Sequence, residues 1–453
     1  MKQDIPKSEL RGYGILALPL AVAGLPLYLH APDFYVTERG VSLGLLGIVL
    51  MLVRVIDAVQ DPLIGGLSDL HTAHRKWIIL AGIFGLGLGM TALFTPPENS
   101  GAGWFVVWVV ISATAFSLVS INLNTLGGIW SQDKHQRTRI ASVRERFALM
   151  GVTIGVVIPG ILMLQMDKVS AFAWFVSGLC VILAFSGWRF FLWARAHPGV
   201  FGHRGKSNFS FQLFRFPADK RVRRLLVITL MGTLASSLPA VLFLFFVRDR
   251  LMAEQWAWLY LVIYFVAAVV GIPLWRDLSK SRGKVRVWCY TMIIATISFT
   301  GALMVGELDY ILYGIVCIAT GIALGGDLVF PSALLADYVG DSEEHMESAS
   351  AGFAWLSFIQ KAALGLGAGI AFPVLEILGF ESGNTNPGIA VAGLVGLYAG
   401  IPLVLKLVAI ILAWRSADLL EGETNNEEIY SGCDRRDAGD GTDTQWMQQS
   451  YEN

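Results

Sequence analysis

The stretch 53-VRVIDAVQDPLIGGLSDL-70 decides the fold. It sets Arg54, Asp57 and Asp61 inside an apolar run, from Val41 to Leu67, that is long enough to cross a bilayer. One charge at bilayer depth costs at least about 2.5–3.5 kcal/mol on insertion scales, so three in one span need a polar interior to face. Asp57 and Asp61 stand at i and i+4 and share a helix face, with Arg54 near the same stripe. Two carboxylates that close cannot both stay ionised cheaply without a cation, be it a proton, an alkali ion or a basic side chain. The pair is a cation trap, and the Gln60 amide and Ser117 hydroxyl are candidate extra oxygen ligands for sodium.

The rest of the chain repeats the apolar theme. Its 453 residues are 55% hydrophobic and 15% charged, and mean hydropathy is +0.59, which excludes the ordinary soluble globular class. Twelve apolar runs are legible, near 11–31, 41–66, 77–95, 104–130, 147–166, 169–194, 224–247, 255–275, 287–305, 310–336, 349–372 and 389–414. A basic segment, 195–223, divides them six and six. The expected organisation is therefore an all-α membrane protein with bundles at 1–194 and 224–414, the linker between them, and a tail, 415–453, too poor in apolar residues to fold alone.

Lysine and arginine set the expected orientation. Arg75, Lys76, Lys134, Arg137, Arg139, Arg144, Arg146, the linker cations, Arg276, Lys280, Arg282, Lys284 and Arg286 fall on one side, whereas the other has Arg39, Lys168, Arg248 and Arg250. The positive-inside rule then places both termini in the cytoplasm of a cell inner (plasma) membrane, with the first helix as an uncleaved signal. Cys180, Cys289 and Cys317 sit in apolar helices and read as small hydrophobes, and Cys433 lies in the tail. No disulfide, metal site or cofactor is expected. A net charge of -1 points to no nucleic-acid partner.

Motifs narrow the class. The run 65-GGLSDLHTAHRK-76 between the second and third spans resembles the loop signature of the major facilitator superfamily, whose two bundles rock about a midplane site. Gly65 permits close helix packing, and Asp69 can accept hydrogen bonds at a helix end and meet a cation such as Arg75. The second half echoes it in 271-GIPLWRDLSKSRGKVR-286, with Gly283 and Lys284. Together, 54-RVIDAVQDPLIGGLSD-69, 133-DKHQRTRIASVRERFALMG-151, 336-ADYVGDSEE-344, Lys361 and 400-GIPLVL-405 resemble the glycoside-pentoside-hexuronide:cation symporters, the melibiose-permease-like group, from Tyr13 to the last helix. The resemblance implies a monomer in which Asp57 and Asp61 bind the coupling cation beside Lys361. Lys361 has no acid within a helical turn, so its partner must come from another helix. Arg54 either joins that coupling network or neutralises Asp57.

Solute contacts are less determined. Ser120, Asn122 and Asn124 project polar groups from the fourth span, consistent with a lined cavity, although the two asparagines cannot share a face. The resemblance aligns Arg144, or with a one-residue shift Arg146, with an arginine that helps bind sugar, and Tyr28 with a tyrosine lining the site. It also puts Ala21 and Ser120 where melibiose-type members carry sugar-gripping acids, and neither can accept two hydroxyl hydrogens as a carboxylate does. Asp327 stands in the tenth helix where those members are apolar. It reads as a solute or proton site, or as the partner of a neighbouring helix or of Lys361.

The expected function is cation-coupled (sodium or proton) symport of a small solute, a sugar or glycoside, by alternating access. The rivals are a cation-coupled transporter of an amphiphile such as a lysolipid, and a non-transporting membrane sensor. A sensor calls for a folded output domain, which the short acidic tail does not offer. No nucleophile–base pair, metal cluster or phosphate loop suggests an enzyme.

Overall fold

The computed structural model describes residues 4–41, 43–98, 100–201, 218–380 and 386–421. Every regular element among the described residues is helical. Among the described residues, ten helices are long and apolar enough to cross a membrane, from Thr72–Phe94 to Gly388–Arg415. The charged second span (Leu43–Leu70) and a segmented first span complete the twelve-helix facilitator fold.

The first span is built in pieces, Lys7–Gly14, Ala17–Leu25, a π-helical turn Pro26–His30 and Ala31–Arg39, and so runs beyond the expected 11–31. Pro26 has no N–H to give to the preceding turn, so the ladder is reset there. Gly40 ends the span with a positive φ of 65°. Hydropathy also misplaced the fifth span. Its helix is Lys134–Met163, starting well before 147, because Asp133 accepts from the backbone N–H groups of His135 and Gln136 and starts a helix through charged sequence. Asp219 does the same for the seventh span, which starts at Lys220, inside the expected linker. The tail is not wholly structureless: Ala417–Glu421 forms a further helical turn, where Glu421 caps Val285 N at 2.7 Å and Leu420 is buried. The central part of the linker and the tail beyond 421, including Cys433, lie outside the described residues.

Each bundle has an aromatic core. In the first, Phe94 stacks on Phe172 at 4.6 Å and Phe34 meets Phe172 edge-on. In the second, Phe246 stacks on Tyr398 at 4.0 Å, and the hydroxyls of Tyr313 and Tyr398 share a hydrogen bond of 2.7 Å. Cys180, Cys289 and Cys317 are free thiols.

The bundles meet through small residues and buried charge. The helix ends bearing Arg75, Arg137, Arg221 and Lys284 converge on one end of the molecule, the basic face. There Asp69 receives the N–H groups of Ser350 and Ala351, at the start of the eleventh span (Ala349–Ile377), both at 2.9 Å. Arg75 donates to Asp69 at 3.1 Å and to Ser350 Oγ at 2.8 Å, so the loop signature of one bundle grips a helix end of the other. The echo motif does the reverse. Lys284 of the ninth span (Lys284–Met304) donates to the Lys134 carbonyl at 2.8 Å and pairs with Asp337 of the tenth (Tyr310–Val339), which Arg137 also meets at 3.6 Å. Gly283, with φ 82°, lets the chain turn under Glu421.

Gly65 is required at its crossing, since a Cβ there would lie 2.6 Å from both Ala354 Cβ and the Ser350 carbonyl. Gly65→Leu should cost about 1–3 kcal/mol through overpacking and lower the melting temperature in detergent. Gly178→Ala, whose Cβ meets nothing within 4 Å, should not. Equal melting of the Gly65 variant and wild type would contradict this close crossing.

Candidate functional site

Asp57 and Asp61 are buried, 1% and 0% exposed, on the face of the second span that looks into the other bundle. Lys361 reaches them from the eleventh span. Its ammonium donates to Asp57 Oδ1 at 2.8 Å, Asp61 Oδ1 at 2.9 Å and Ser117 Oγ at 2.8 Å, which uses all three of its donors. The partner that the sequence required from another helix is thus both acids at once.

A second layer holds the first in place. Ser117 and Gln60 donate to Asp57 Oδ1 at 3.2 and 3.0 Å, and the Thr114 hydroxyl in turn donates to Gln60 Oε1 at 2.8 Å. Ser357 donates to Asp61 Oδ2 at 2.6 Å. Ser357 and Lys361 stand at i and i+4, so a polar stripe on span eleven faces the acidic stripe on span two. Sequence reasoning missed Ser357 and Thr114. The helical spacing from Lys361 and Ser117 was the available signal.

The two carboxylates and one ammonium sum to one net negative charge. A buried cluster with that imbalance favours uptake of a proton or a small cation, and its carboxylate, hydroxyl and amide oxygens are the donor set for an alkali ion. The side chains of Arg54 and Tyr28 lie outside the described residues.

The expected solute contacts scatter. Ser120 donates to the Ser117 carbonyl of its own helix at 3.3 Å. Asn122, far from lining a cavity, is wholly buried and donates to Ser68 Oγ at 3.0 Å and the Leu118 carbonyl at 2.8 Å, joining spans four and two next to the Asp69 lock. A polar group on a transmembrane helix can serve a neighbour as well as a cavity, and here packing takes it. Asn124 is half-buried. Arg144 is buried, pairs with Glu145 and donates to Ser332 Oγ of the tenth span at 3.1 Å, which makes it a tie between bundles. Ala21 packs against Gly151, where an added Cβ would lie 2.9 Å away, so this first-span position serves close helix packing.

Asp327 takes one of the expected alternatives, the partner of neighbouring helices. It accepts from Trp288 Nε1 at 2.9 Å and pairs with Lys406 of the last span, a lysine that sequence reasoning passed over; Lys361 is engaged elsewhere. The signal was present, since a lone lysine in an apolar span is what drew attention to Lys361. The Lys406 side chain is 1% exposed and that of Asp327 15%, and the aspartate lines a mainly apolar cavity of about 440 Å³ walled chiefly by the second bundle. Tyr264, Phe265, Phe299, Tyr313 and Thr320 are among its walls.

Comparison with known proteins agrees with this architecture. The family described as MFS/sugar transport protein matches residues 10–417. The uncharacterized symporter YnaJ of Bacillus subtilis is 23% identical over 90% of this chain and 91% of its own. The isoprimeverose transporter of Lactiplantibacillus pentosus is 23% identical over 93% and 91%. Among solved structures, the Escherichia coli fucose:proton symporter FucP superposes with a TM-score of 0.64 at 15% identity, covering 90% of this chain and 96% of that one, a likeness of fold.

Lys406→Met strands Asp327 as a buried unpaired charge and should cost about 3–5 kcal/mol. Adding Asp327→Leu should recover most of that loss, as a double-mutant cycle on thermal unfolding reads directly. Additive losses would mean that the two groups are not coupled.

Proposed function

The chain belongs to the MFS/sugar transport protein family, and from that premise we propose that it is a cation-coupled symporter of a small solute, a sugar or glycoside, working by alternating access. The observation that carries the reading is the Lys361 ammonium among Asp57, Asp61 and Ser117. The lysine stands where a coupling cation would bind, so sodium or a proton competes with it for the same oxygens. Because the acids come from one bundle and the lysine from the other, the competition changes a tie between the two moving bodies.

Coupling follows from electrostatics. Unneutralised acids resist enclosure in a closing, drying site, and a bound cation removes that penalty; solute adds contacts to both bundles, so neither ligand alone favours exchange of faces. With the basic face in the cytoplasm, as the positive-inside rule places it, the locks at Asp69 and Asp337 close the cytoplasmic side and the conformation is outward-facing. The sugar assignment draws support from the isoprimeverose transporter. The cavity above Asp327 favours one alternative, an amphipathic solute whose apolar part fills the aromatic chamber.

Melting of the purified protein against sugars, glycosides, uronic acids and lysolipids, with and without sodium and at two pH values, separates these cargoes. Asp57→Asn should weaken cation-dependent stabilisation and uptake at least about tenfold. Lys361→Ala should strengthen cation binding while uncoupling it from solute. An Asp57→Asn protein with unchanged cation dependence would sink the ligand assignment.

A further inference from the structure

At the basic face a cleft of about 420 Å³ opens between spans one, five and eight. Five cations line it: Lys7, Arg11, Arg139, Arg146 and Arg276. Two acids answer them at its rim. Asp4, 80% exposed, meets Arg139 at 3.6 Å, and Asp277, 54% exposed, meets Arg276 at 2.8 Å and also Lys280 at 3.1 Å. The other nearby carboxylates are engaged elsewhere, Glu145 with Arg144 and Glu9 with His197. Pairs this exposed are weak and give way to a stronger anion. Arg146 Nε, in addition, is buried with no hydrogen-bond partner among the described residues.

The cleft is graded along the membrane normal. On span five, Arg139, Val143, Arg146, Phe147 and Met150 recur at helical spacing and form one stripe, with Arg139 nearest the basic face and Phe147 and Met150 deepest. Pro273 adds to the apolar part, and Met150 is 39% exposed at its end. A soluble anion needs only the charged half, whereas an amphiphile with a phosphate head uses both.

We propose that this cleft binds an anionic phospholipid, with its phosphate held by Arg139, Arg146 and Arg276 and an acyl chain lying along Phe147 and Met150. Guanidinium forks suit phosphate oxygens, and basic pockets between helices at the cytoplasmic surface are where anionic headgroups collect. The walls belong to both bundles, spans one and five on one side and span eight on the other. The lipid therefore bridges them at the face already closed by the Asp69 and Asp337 locks and favours that closed state. The site is separate from the cation cluster and independent of which solute is carried.

The test is thermal melting of the detergent-purified full chain titrated with phosphatidylglycerol, with phosphatidylcholine, or with inorganic phosphate. Phosphatidylglycerol should raise the melting temperature saturably, and phosphatidylcholine of the same chain length should not. Arg139→Gln with Arg276→Gln should melt like wild type without lipid and weaken the apparent affinity for phosphatidylglycerol about tenfold or more. If that double variant does not fold, Arg146→Gln carries the same test, since its Nε has no partner to lose. Equal responses to the two lipids, or a variant that responds like wild type, would overturn the site. Stabilisation by inorganic phosphate matching that by phosphatidylglycerol would assign the cleft to a soluble anion and overturn the lipid.

Discussion

One ammonium group shared by two carboxylates from the opposite bundle is the constraint around which the rest is arranged. Charges at this depth are tolerated only where each finds a partner, and the partners here lie across the interface between the two bundles. Spans two, four and eleven must therefore converge at the cluster, and the small residues at Gly65 and Ala354 let them come close enough. A buried ion pair is a poor source of net stability. On the proposed reading, its value lies in a second arrangement, with a competing cation on the acids, that favours a different packing of the bundles.

Nearer the basic face, the two loop motifs make complementary locks. One aims a carboxylate at the N-terminal amides of span eleven, where the helix dipole favours negative charge. The other aims an ammonium at a carbonyl in the first turn of span five and at the Asp337 carboxylate. Each lock is contributed by one bundle and received by the other. Opening this face requires both to release.

The two bundles divide the polar work unequally. The first supplies both acids, the amide and two of the three hydroxyls of the cluster around Lys361, and Ser357 comes from the second. The second walls most of an aromatic chamber lined in part by Asp327, which pairs with Lys406. Ala21 of the first span packs on Gly151, and the Asp327–Lys406 pair lies in the second bundle.

Much was legible in the sequence alone because it depends on local periodicity. Apolar runs of bilayer length imply spans, i and i+4 spacing puts Asp57 and Asp61 on one face, and a lysine with no acid nearby must find its partner on another helix. The pattern at Gly65 and Asp69 likewise implied a close crossing and a capped helix end. Helix limits were less legible, because hydropathy reports what lies in lipid, whereas Asp133 and Asp219 start helices through charged sequence by hydrogen bonding. Only the tertiary structure decided who faces whom. It gave Asp327 to Lys406, turned Asn122 toward Ser68, and made Arg144 a tie to Ser332. Spacing along one helix fixes the direction of a side chain relative to its own axis, and the rotation of neighbouring helices that completes the contact is set by packing summed over the whole interface.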